Sequence, residues 1–173
     1  KQEQQELLNI VIVGGGATGI EVAGILSEMK KFVLPNDYPD MSSSLMHIYL
    51  IEAGPRLLAG MSEESSAHAE QFLREIGVNI LLNKRVVDYR DHKVVLEDGT
   101  EIATRTFIWV SGVTGVTIGN LDASLIGRGG RIKVDSFNRV EGMNNVFAIG
   151  DQCIQLADEN YPNGHPQLAR VAI

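Results

Sequence analysis

Three glycines near the N-terminus have the residue type and the spacing needed to hold a phosphate group. Gly14, Gly16 and Gly19 form the pattern G-x-G-x-x-G, which here reads Gly-Gly-Gly-Ala-Thr-Gly. The first glycine permits a tight turn, the second lets an anion approach the backbone because it has no Cβ, and the third permits close packing of a helix on a strand. A helix that begins at this turn presents free N–H groups and the positive end of its dipole to a pyrophosphate.

An acidic residue further along the chain completes this pattern. Glu52 directly follows an apolar segment, and a carboxylate at the end of a second parallel strand can accept hydrogen bonds from both hydroxyls of an adenosine ribose. Its separation from Gly19 exceeds the usual ~20 residues, and an insertion over residues 32–44 accounts for the excess. The pattern predicts a pyridine dinucleotide site, for NADH, that also includes Gly15, Ala17, Thr18 and Ala53. A doubly wound domain that binds another ligand with the same turn is the alternative.

Glu21 and Cys153 have two interpretations each, and Arg56 bears on the choice between NADH and NADPH. Glu21 lies one turn into the predicted helix, where an acid either interacts with the helix dipole or contacts the nicotinamide end of the nucleotide. Arg56 follows Glu52 closely, and it could reach a 2′-phosphate and weaken a preference for NADH over NADPH. Cys153, the single cysteine, is either a packed thiol, which we favour, or a redox residue. The histidines are too dispersed to indicate a metal site: His47, His68, His92 and His165.

The segments around the glycines predict an alternating α/β unit. Short β-branched runs alternate with segments that have apolar residues at helical spacing, and this order predicts a parallel sheet with right-handed crossovers. Residues 32–44 contain two prolines and three serines, which predicts a loop. The predicted strands are Asn9–Val13, His47–Ile51 and Asn79–Leu82, and the predicted helices are Ala17–Met29 and Ser62–Ile76, the second capped by Ser62 and closed by Gly77.

Short β-rich segments then occupy the place of a third helix. The pairs Asp91-His92 and Asp98-Gly99 separate them as hairpin turns, so the sequence predicts an antiparallel meander. The meander strands are Arg85–Tyr89, Lys93–Leu96 and Glu101–Thr104, and Thr106–Val110 is predicted to return as a buried strand. Beyond a glycine-rich loop at Gly119–Gly130, the predicted elements are the strands Ile132–Val134 and Val146–Ile149 and a helix opened by Pro166.

Composition excludes several classes of protein. The net charge is −7 and the basic residues are scattered, which argues against a nucleic-acid partner. One cysteine cannot form an intrachain disulfide or a C-x-x-C redox pair, and its rarity favours a reducing cytoplasm. We find no secretory signal and no apolar run long enough to span a bilayer.

Four phrases of the sequence resemble the two-dinucleotide flavoproteins, and among these most of all the type II NADH:quinone oxidoreductases. Three segments favour that branch: the insertion with Leu34–Pro39, the segment around Trp109 and the closing segment after Pro166. The resemblance covers nearly the whole chain. The four phrases are Val11–Gly24, Ile51–Arg56, Ile108–Val113 and Asn145–Asp151.

The resemblance implies an NADH-binding Rossmann-like domain inserted into an FAD-binding domain. It assigns residues 1–6 to a linker, residues 7–118 to the NADH domain with its meander, and residues 119–173 to a truncated segment of the FAD domain. The glycines named above, Glu21, Glu52 and Gly112 would contact NADH, and Gly150, Asp151, Gln167 and Leu168 would form one edge of the FAD site. Without the resemblance, Asp151 reads as a turn residue at a strand end.

The implied reaction moves a hydride from NADH to FAD and then electrons to a quinone, which requires no general base and hence no catalytic side chain. The family has two glycine patterns and this chain has one, so the resemblance implies an excised part that is inactive alone. The full-length protein is expected in the cytoplasm, peripheral to the membrane through regions outside this chain. The alternatives are another flavoprotein reductase, acting on ferredoxin, rubredoxin or a disulfide, and an NADH-sensing module, which the lack of a basic helix disfavours.

Overall fold

The computed structural model describes residues 6–40, 42–116 and 118–165. The chain divides into two units, Lys1–Ser111 and Gly112–Ile173. The division falls earlier than the expected boundary at residue 118. None of the helices in the described residues is both long enough and apolar enough to cross a membrane.

The first unit is built on a parallel sheet of four strands, as the alternating pattern predicts. β1 (Asn9–Val13) is central and every one of its residues is buried. Val13 lies opposite Ile51 of one neighbour and Trp109 of the other, so the carboxyl ends of these strands meet at one edge of the sheet. The strands are β1 (Asn9–Val13), β2 (His47–Ile51), β3 (Val78–Leu81) and β7 (Thr106–Trp109), in the spatial order β3-β2-β1-β7.

Two helices cover one face of this sheet. Ile10 and Ile12 of β1 belong to the core that packs against α1 (Ala17–Glu28) and α3 (Glu63–Glu75). Ser62 caps α3 as predicted, since its hydroxyl oxygen accepts a hydrogen bond from the backbone N–H of Ser65 at 3.1 Å. The core of this face consists of Ile10, Ile12, Ala23, Ile48, Leu50, Leu57, Leu73, Val78 and Ile80.

The predicted antiparallel meander covers the other face of the sheet. Val11 and Val13 of β1 pack there with side chains of the meander, because successive residues of a strand point to opposite faces. Asp91 and His92 have φ values of 49° and 59°, as a two-residue type I′ hairpin turn requires. The meander strands are β4 (Val86–Arg90), β5 (Lys93–Leu96) and β6 (Glu101–Ala103).

The insertion after α1 is more helical than the sequence predicts. A π-helical turn at Met29–Val33 and a short helix α2 (Leu34–Asp37) carry the helical path to Asp37, so the loop prediction is wrong for the first half of residues 32–44. Pro35 does not break the path because it lies at the start of α2, where a missing N–H costs no helical hydrogen bond. The Asn36 side-chain amide also donates to the carbonyl of Phe32 at 2.7 Å.

The prediction that Thr106–Val110 is a buried strand is half wrong. The segment forms β7, but within the described residues β7 is an edge strand that pairs with β1 alone. Thr106 is exposed and Trp109 is 56% exposed. An apolar sequence shows that a strand can be buried, but burial on both faces requires helices or strands that cover it. In the described residues, these elements leave β7 partly exposed.

The second unit has a small core of its own. β8 (Ile132–Val134) forms as predicted and pairs in parallel with β9 (Cys153–Gln155). The predicted strand Val146–Ile149 is wrong: Phe147 makes one isolated bridge to Arg139, and Phe147 and Ile149 are exposed. Ala148 alone is buried in this segment. Backbone hydrogen bonds join the segment to Asn138 and Val140, but no strand of the described residues runs along it. The predicted helix after Pro166 lies outside the described residues.

Candidate dinucleotide-binding site

The first glycine of the pattern makes a tight turn at the end of β1. Gly14 has a φ of +119°, which disfavours any residue with a side chain. Its N–H donates to the carbonyl of Ile51 at 2.9 Å. A Cβ on Gly14 would lie 3.1 Å from the backbone nitrogen of Ser111, so the turn is confined between the ends of β2 and β7.

The third glycine brings α1 directly onto this turn. A Cβ on Gly19 would lie 1.8 Å from the carbonyl oxygen of Gly14. Real Cβ atoms do not approach an oxygen so closely, and both groups belong to backbone held by the sheet and the helix. The position therefore requires glycine for packing, as the pattern predicts.

The second glycine leaves space at the start of α1. Gly16 is the N-cap residue, with φ −79° and ψ −177°, and no side chain caps the helix. No atom lies within 4 Å of the position that a Cβ on Gly16 would occupy. The first N–H groups of any helix lack partners within it, so the N–H groups of Ala17, Thr18 and Gly19 have no acceptor within α1. An uncapped helix end with room for an anion fits a pyrophosphate.

Glu52 connects the glycine turn to the end of β2. Its Oε2 accepts a hydrogen bond from the N–H of Gly15, and its Oε1 accepts one from the N–H of Gly54, each at 2.6 Å. A carboxylate oxygen has a second lone pair, so each oxygen can still accept a ribose hydroxyl. The half-buried carboxylate is thus fixed beside the glycine turn before any ligand binds.

Gly15 is more constrained than its place between two patterned glycines indicates. A Cβ there would lie 2.7 Å from Cδ2 of Leu57 and 3.0 Å from Cβ of Glu52. Its carbonyl also accepts a hydrogen bond from the N–H of Leu58 at 2.8 Å. Gly15 therefore holds the loop after β2 against the turn.

A cleft of about 150 Å³ opens beside Glu52 at the carboxyl edge of the sheet. Lys84, Arg85, Val86 and Trp109 line it, and the sequence analysis assigns none of them to the site. Their position after β3 and at the end of β7 is the signal that could have found them, since parallel strands end at the same edge. The other lining residues are Val13, Gly14, Ile51, Glu52, Ala53 and Ser111.

Arg56 is engaged in the loop that follows β2. Its guanidinium donates to the carbonyl of Ala59 at 2.9 Å and to that of Met61 at 3.1 Å. These bonds occupy guanidinium donors that the sequence analysis expected to be able to reach a 2′-phosphate. Arg56 therefore stabilises the loop conformation that holds Leu57 beneath the glycine turn.

Of the two remaining residues expected at the NADH site, Glu21 belongs to the first unit and Gly112 to the second. Glu21 is exposed on α1. Gly112 directly follows the boundary with a φ of +79°. A residue with that backbone conformation is disfavoured unless it is glycine.

The residues expected at the FAD edge lie in the second unit. Gly150, with a φ of +68°, and Asp151 begin a 3₁₀ turn, Gly150–Gln152. The thiol of Cys153 donates to the carbonyl of Gly150 at 3.3 Å, and burial raises the pKa of that thiol. The expected contacts Gln167 and Leu168 lie outside the described residues.

A parallel sheet whose glycine turn opens onto an uncapped helix, with a carboxylate at the next strand end, defines a dinucleotide-binding fold of the Rossmann class. The sequence model of the family described as "Pyridine nucleotide-disulphide oxidoreductase" matches residues 1–173. The chain belongs to this family.

Curated relatives and solved structures agree with this assignment. The chain is 32% identical to a type II NADH:quinone oxidoreductase of Haemophilus influenzae, over 92% of this chain and 36% of that protein. It is also 32% identical to the type II NADH:quinone oxidoreductase NdhA of Mycobacterium tuberculosis, over 98% of this chain and 38% of that protein. The structure of NDH2 from Plasmodium falciparum in complex with NADH has a TM-score of 0.72 and 25% identity, over 90% of this chain and 34% of that one. The chain spans little more than a third of these relatives.

Proposed function

We propose that this chain is the NADH-binding portion of a flavoprotein oxidoreductase that passes a hydride from NADH to FAD and then electrons to a quinone. The proposal rests on two features that lie at one edge of the sheet. The start of α1 is uncapped and has open space at Gly16, and the carboxylate of Glu52 is held beside it by a hydrogen bond from Gly15. The names of two relatives, type II NADH:quinone oxidoreductases, supply the acceptor.

The glycine turn and the start of α1 would hold the pyrophosphate. The backbone N–H groups of Gly16, Ala17, Thr18 and Gly19 would be the donors for its oxygens. The N–H groups of Gly14 and Gly15 are bound to Ile51 and Glu52, so these two residues shape the turn. Glu52 would accept the hydroxyls of the adenosine ribose, and Ala53 would line the same part of the cleft. Glu21 would contact the nicotinamide end, and Gly112 is also proposed as a contact of NADH.

The second unit would contribute one edge of the FAD site. Gly150 has the positive φ of a backbone turn that an anion or a ribityl chain can approach closely, and Asp151, Gln167 and Leu168 are its proposed neighbours. The flavin supplies the hydride acceptor when it is bound, and the residues of this chain bind and orient the nucleotide. A quinone is reached at a membrane, so we place the full-length protein at a membrane surface.

Isothermal titration calorimetry of the chain with NADH tests the proposal. We expect saturable binding to the wild-type chain and a loss of at least about tenfold in affinity for Glu52→Ala, because one charge-assisted hydrogen bond is worth roughly 1.5–3 kcal/mol. Glu63→Ala removes an exposed acid from the first turn of α3 and is the matched control, with unchanged affinity. No binding of NADH, or equal affinity for both variants, would overturn the proposal; circular dichroism shows that each variant is folded.

A further inference from the structure

Two cationic residues share a cleft with the carboxylate that we assign to the ribose. Lys84 and Arg85 both line the cleft that contains Glu52. The backbone N–H of Lys84 donates to the carbonyl of Glu52 at 3.1 Å, so the position of Lys84 is fixed relative to the ribose-binding acid. Cations at this place are what a nucleotide with a 2′-phosphate would need.

Each of these cations faces an acid on the turn between β5 and β6. The ammonium of Lys84 donates to Oδ2 of Asp98, and Nε of Arg85 lies 3.8 Å from Oε2 of Glu97. The Lys84 pair is the closer and the more shielded of the two, with side chains 39% and 41% exposed against 68% and 71%. The four residues and Asn83 line a second recess of about 170 Å³.

Asp98 is held in place independently of Lys84. Its Oδ1 accepts a hydrogen bond from the N–H of Thr100 at 3.0 Å, within the turn. The hydrogen bond from Lys84, and then those from Thr100, hold the pKa of Asp98 well below its usual range. The carboxylate is therefore charged at neutral pH, and it draws the ammonium of Lys84 toward the meander.

We propose that Asp98 is a specificity-determining residue: by holding Lys84 in an ion pair, it withdraws the cation that a 2′-phosphate would need and so favours a nucleotide with a free 2′-hydroxyl. This inference rests on the proposed NADH site. Asp98 acts through Lys84 and touches no ligand itself. Its role is distinct from that of Glu52, because Glu52 repels a phosphate directly, whereas Asp98 competes with the phosphate for Lys84.

Calorimetric titration with NADH and NADPH at one ionic strength tests this role. Asp98→Asn frees Lys84, and we expect the affinity for NADPH to rise at least about fivefold, the effect of one unit charge at about 4 Å in water. The affinity for NADH should change about twofold or less, since an exposed ion pair contributes little to the fold. Glu97→Gln is the matched control, and its smaller effect on the affinity ratio follows from the longer Arg85 pair.

Two further variants keep the test decisive. Asp98→Asn with Lys84→Met should lose the gain in NADPH affinity, because no freed cation remains. Lys84→Met alone should not raise the affinity for NADPH, because it removes the cation and frees none. A rise in this variant would contradict the role of Lys84, and the measurement does not depend on the folding of Asp98→Asn. An unchanged affinity ratio in Asp98→Asn, or a gain that persists in the double variant, would overturn the role of Asp98 while NADH binding stands. Binding of neither nucleotide to the wild-type chain would overturn the proposed function as well.

Discussion

The second and third glycines of the pattern differ in what a side chain at each would meet. A Cβ on Gly16 meets open space, whereas a Cβ on Gly19 meets the carbonyl oxygen of Gly14 at 1.8 Å. Substitution at these two positions therefore separates ligand binding from folding. The contrast agrees with the different roles that the spacing of the glycines predicts for these two positions.

We expect Gly16→Val to fold and to lose NADH affinity by at least about tenfold, because a branched side chain fills the space of the pyrophosphate. Gly19→Ala should lower the free energy of unfolding by more than about 2 kcal/mol, since neither backbone can move away. Denaturant unfolding and calorimetry measure the two effects. Wild-type affinity in Gly16→Val, or wild-type stability in Gly19→Ala, contradicts the assignment.

Glu52 should make the chain prefer NADH to NADPH. A 2′-phosphate at about 4 Å from its carboxylate costs roughly 1 kcal/mol in water and about 4 kcal/mol at an intermediate dielectric. This corresponds to a preference between about fivefold and several hundredfold. Arg56 should offset little of this repulsion, because its two terminal guanidinium nitrogens donate to carbonyls of its own loop, among them those of Ala59 and Met61.

Calorimetric affinities for the two nucleotides at one ionic strength measure this preference. Arg56→Ala is the control: it should leave the ratio of affinities unchanged while destabilising the loop over residues 57–62. Equal affinities of the wild-type chain for NADH and NADPH refute the role given to Glu52.

The sequence predicts the special backbone of Gly14 and the close packing of Gly19, because both follow from the spacing of the pattern. It does not predict that Glu52 accepts hydrogen bonds from Gly15 and Gly54. Nor does it predict that Lys84 pairs with Asp98. These contacts join residues from separate elements, and they depend on the conformation of loops and on the register of the meander.

At the level of elements, the turn between β4 and β5 is a site of backbone strain. Asp91 and His92 both have positive φ, a conformation that costs a residue with a side chain roughly 1–2 kcal/mol. Asn-Gly is the pair that such a turn prefers. Replacement of Asp91-His92 by Asn-Gly should therefore raise the free energy of unfolding by roughly 0.5–1 kcal/mol.

Urea unfolding of this double variant measures the gain. Gly99→Ala is the opposite control, since Gly99 has a φ of +83° in the other turn of the meander, and it should be destabilised. A loss of stability in the Asn-Gly variant would show that the side chain of Asp91 or His92 stabilises the turn by contacts that outweigh the backbone strain.

Periodicity predicts β1, α1, α3 and the meander strands to within a residue or so at most ends, because each has a repeat that matches its geometry. The predictions fail in segments where the spacing of apolar residues does not determine the secondary structure. The π-helical turn at Met29–Val33 leads into a segment that contains Pro35 and whose sequence predicts a loop. Val146–Ile149 has strand-forming residues but lacks a partner strand along its length in the described residues. A strand needs a neighbour, and its own sequence does not supply one.

For the molecule as a whole, we expect the two units to differ in local stability. The sheet of the first unit joins four strands around a fully buried β1, while β8 and β9 have three residues each. Hydrogen exchange should therefore be slow in β1 and β2 and faster from Gly119 onward. Equal protection in β8 and β9 would contradict this expectation.

The 173-residue chain should bind NADH without oxidising it. Transfer of the hydride needs a flavin, and the sequence has one G-x-G-x-x-G pattern, which we propose binds the pyridine nucleotide. One edge of a flavin site does not offset the cost of immobilising FAD. Purified chain should be colourless and should stay inactive with a soluble quinone after FAD is added, although NADH raises its melting temperature. A yellow preparation with quinone-dependent NADH oxidation refutes this.

The position of Trp109 gives the chain an optical property. It is the single tryptophan of the sequence, it is 56% exposed, and it lies on the rim of the cleft beside Glu52. Indole fluorescence overlaps the near-ultraviolet absorption band of a reduced nicotinamide, whereas the oxidised ring lacks that band. Excited-state energy would therefore pass from Trp109 to bound NADH and not to bound NAD⁺, so the intensity of its emission would report the redox state of the nucleotide without any added dye.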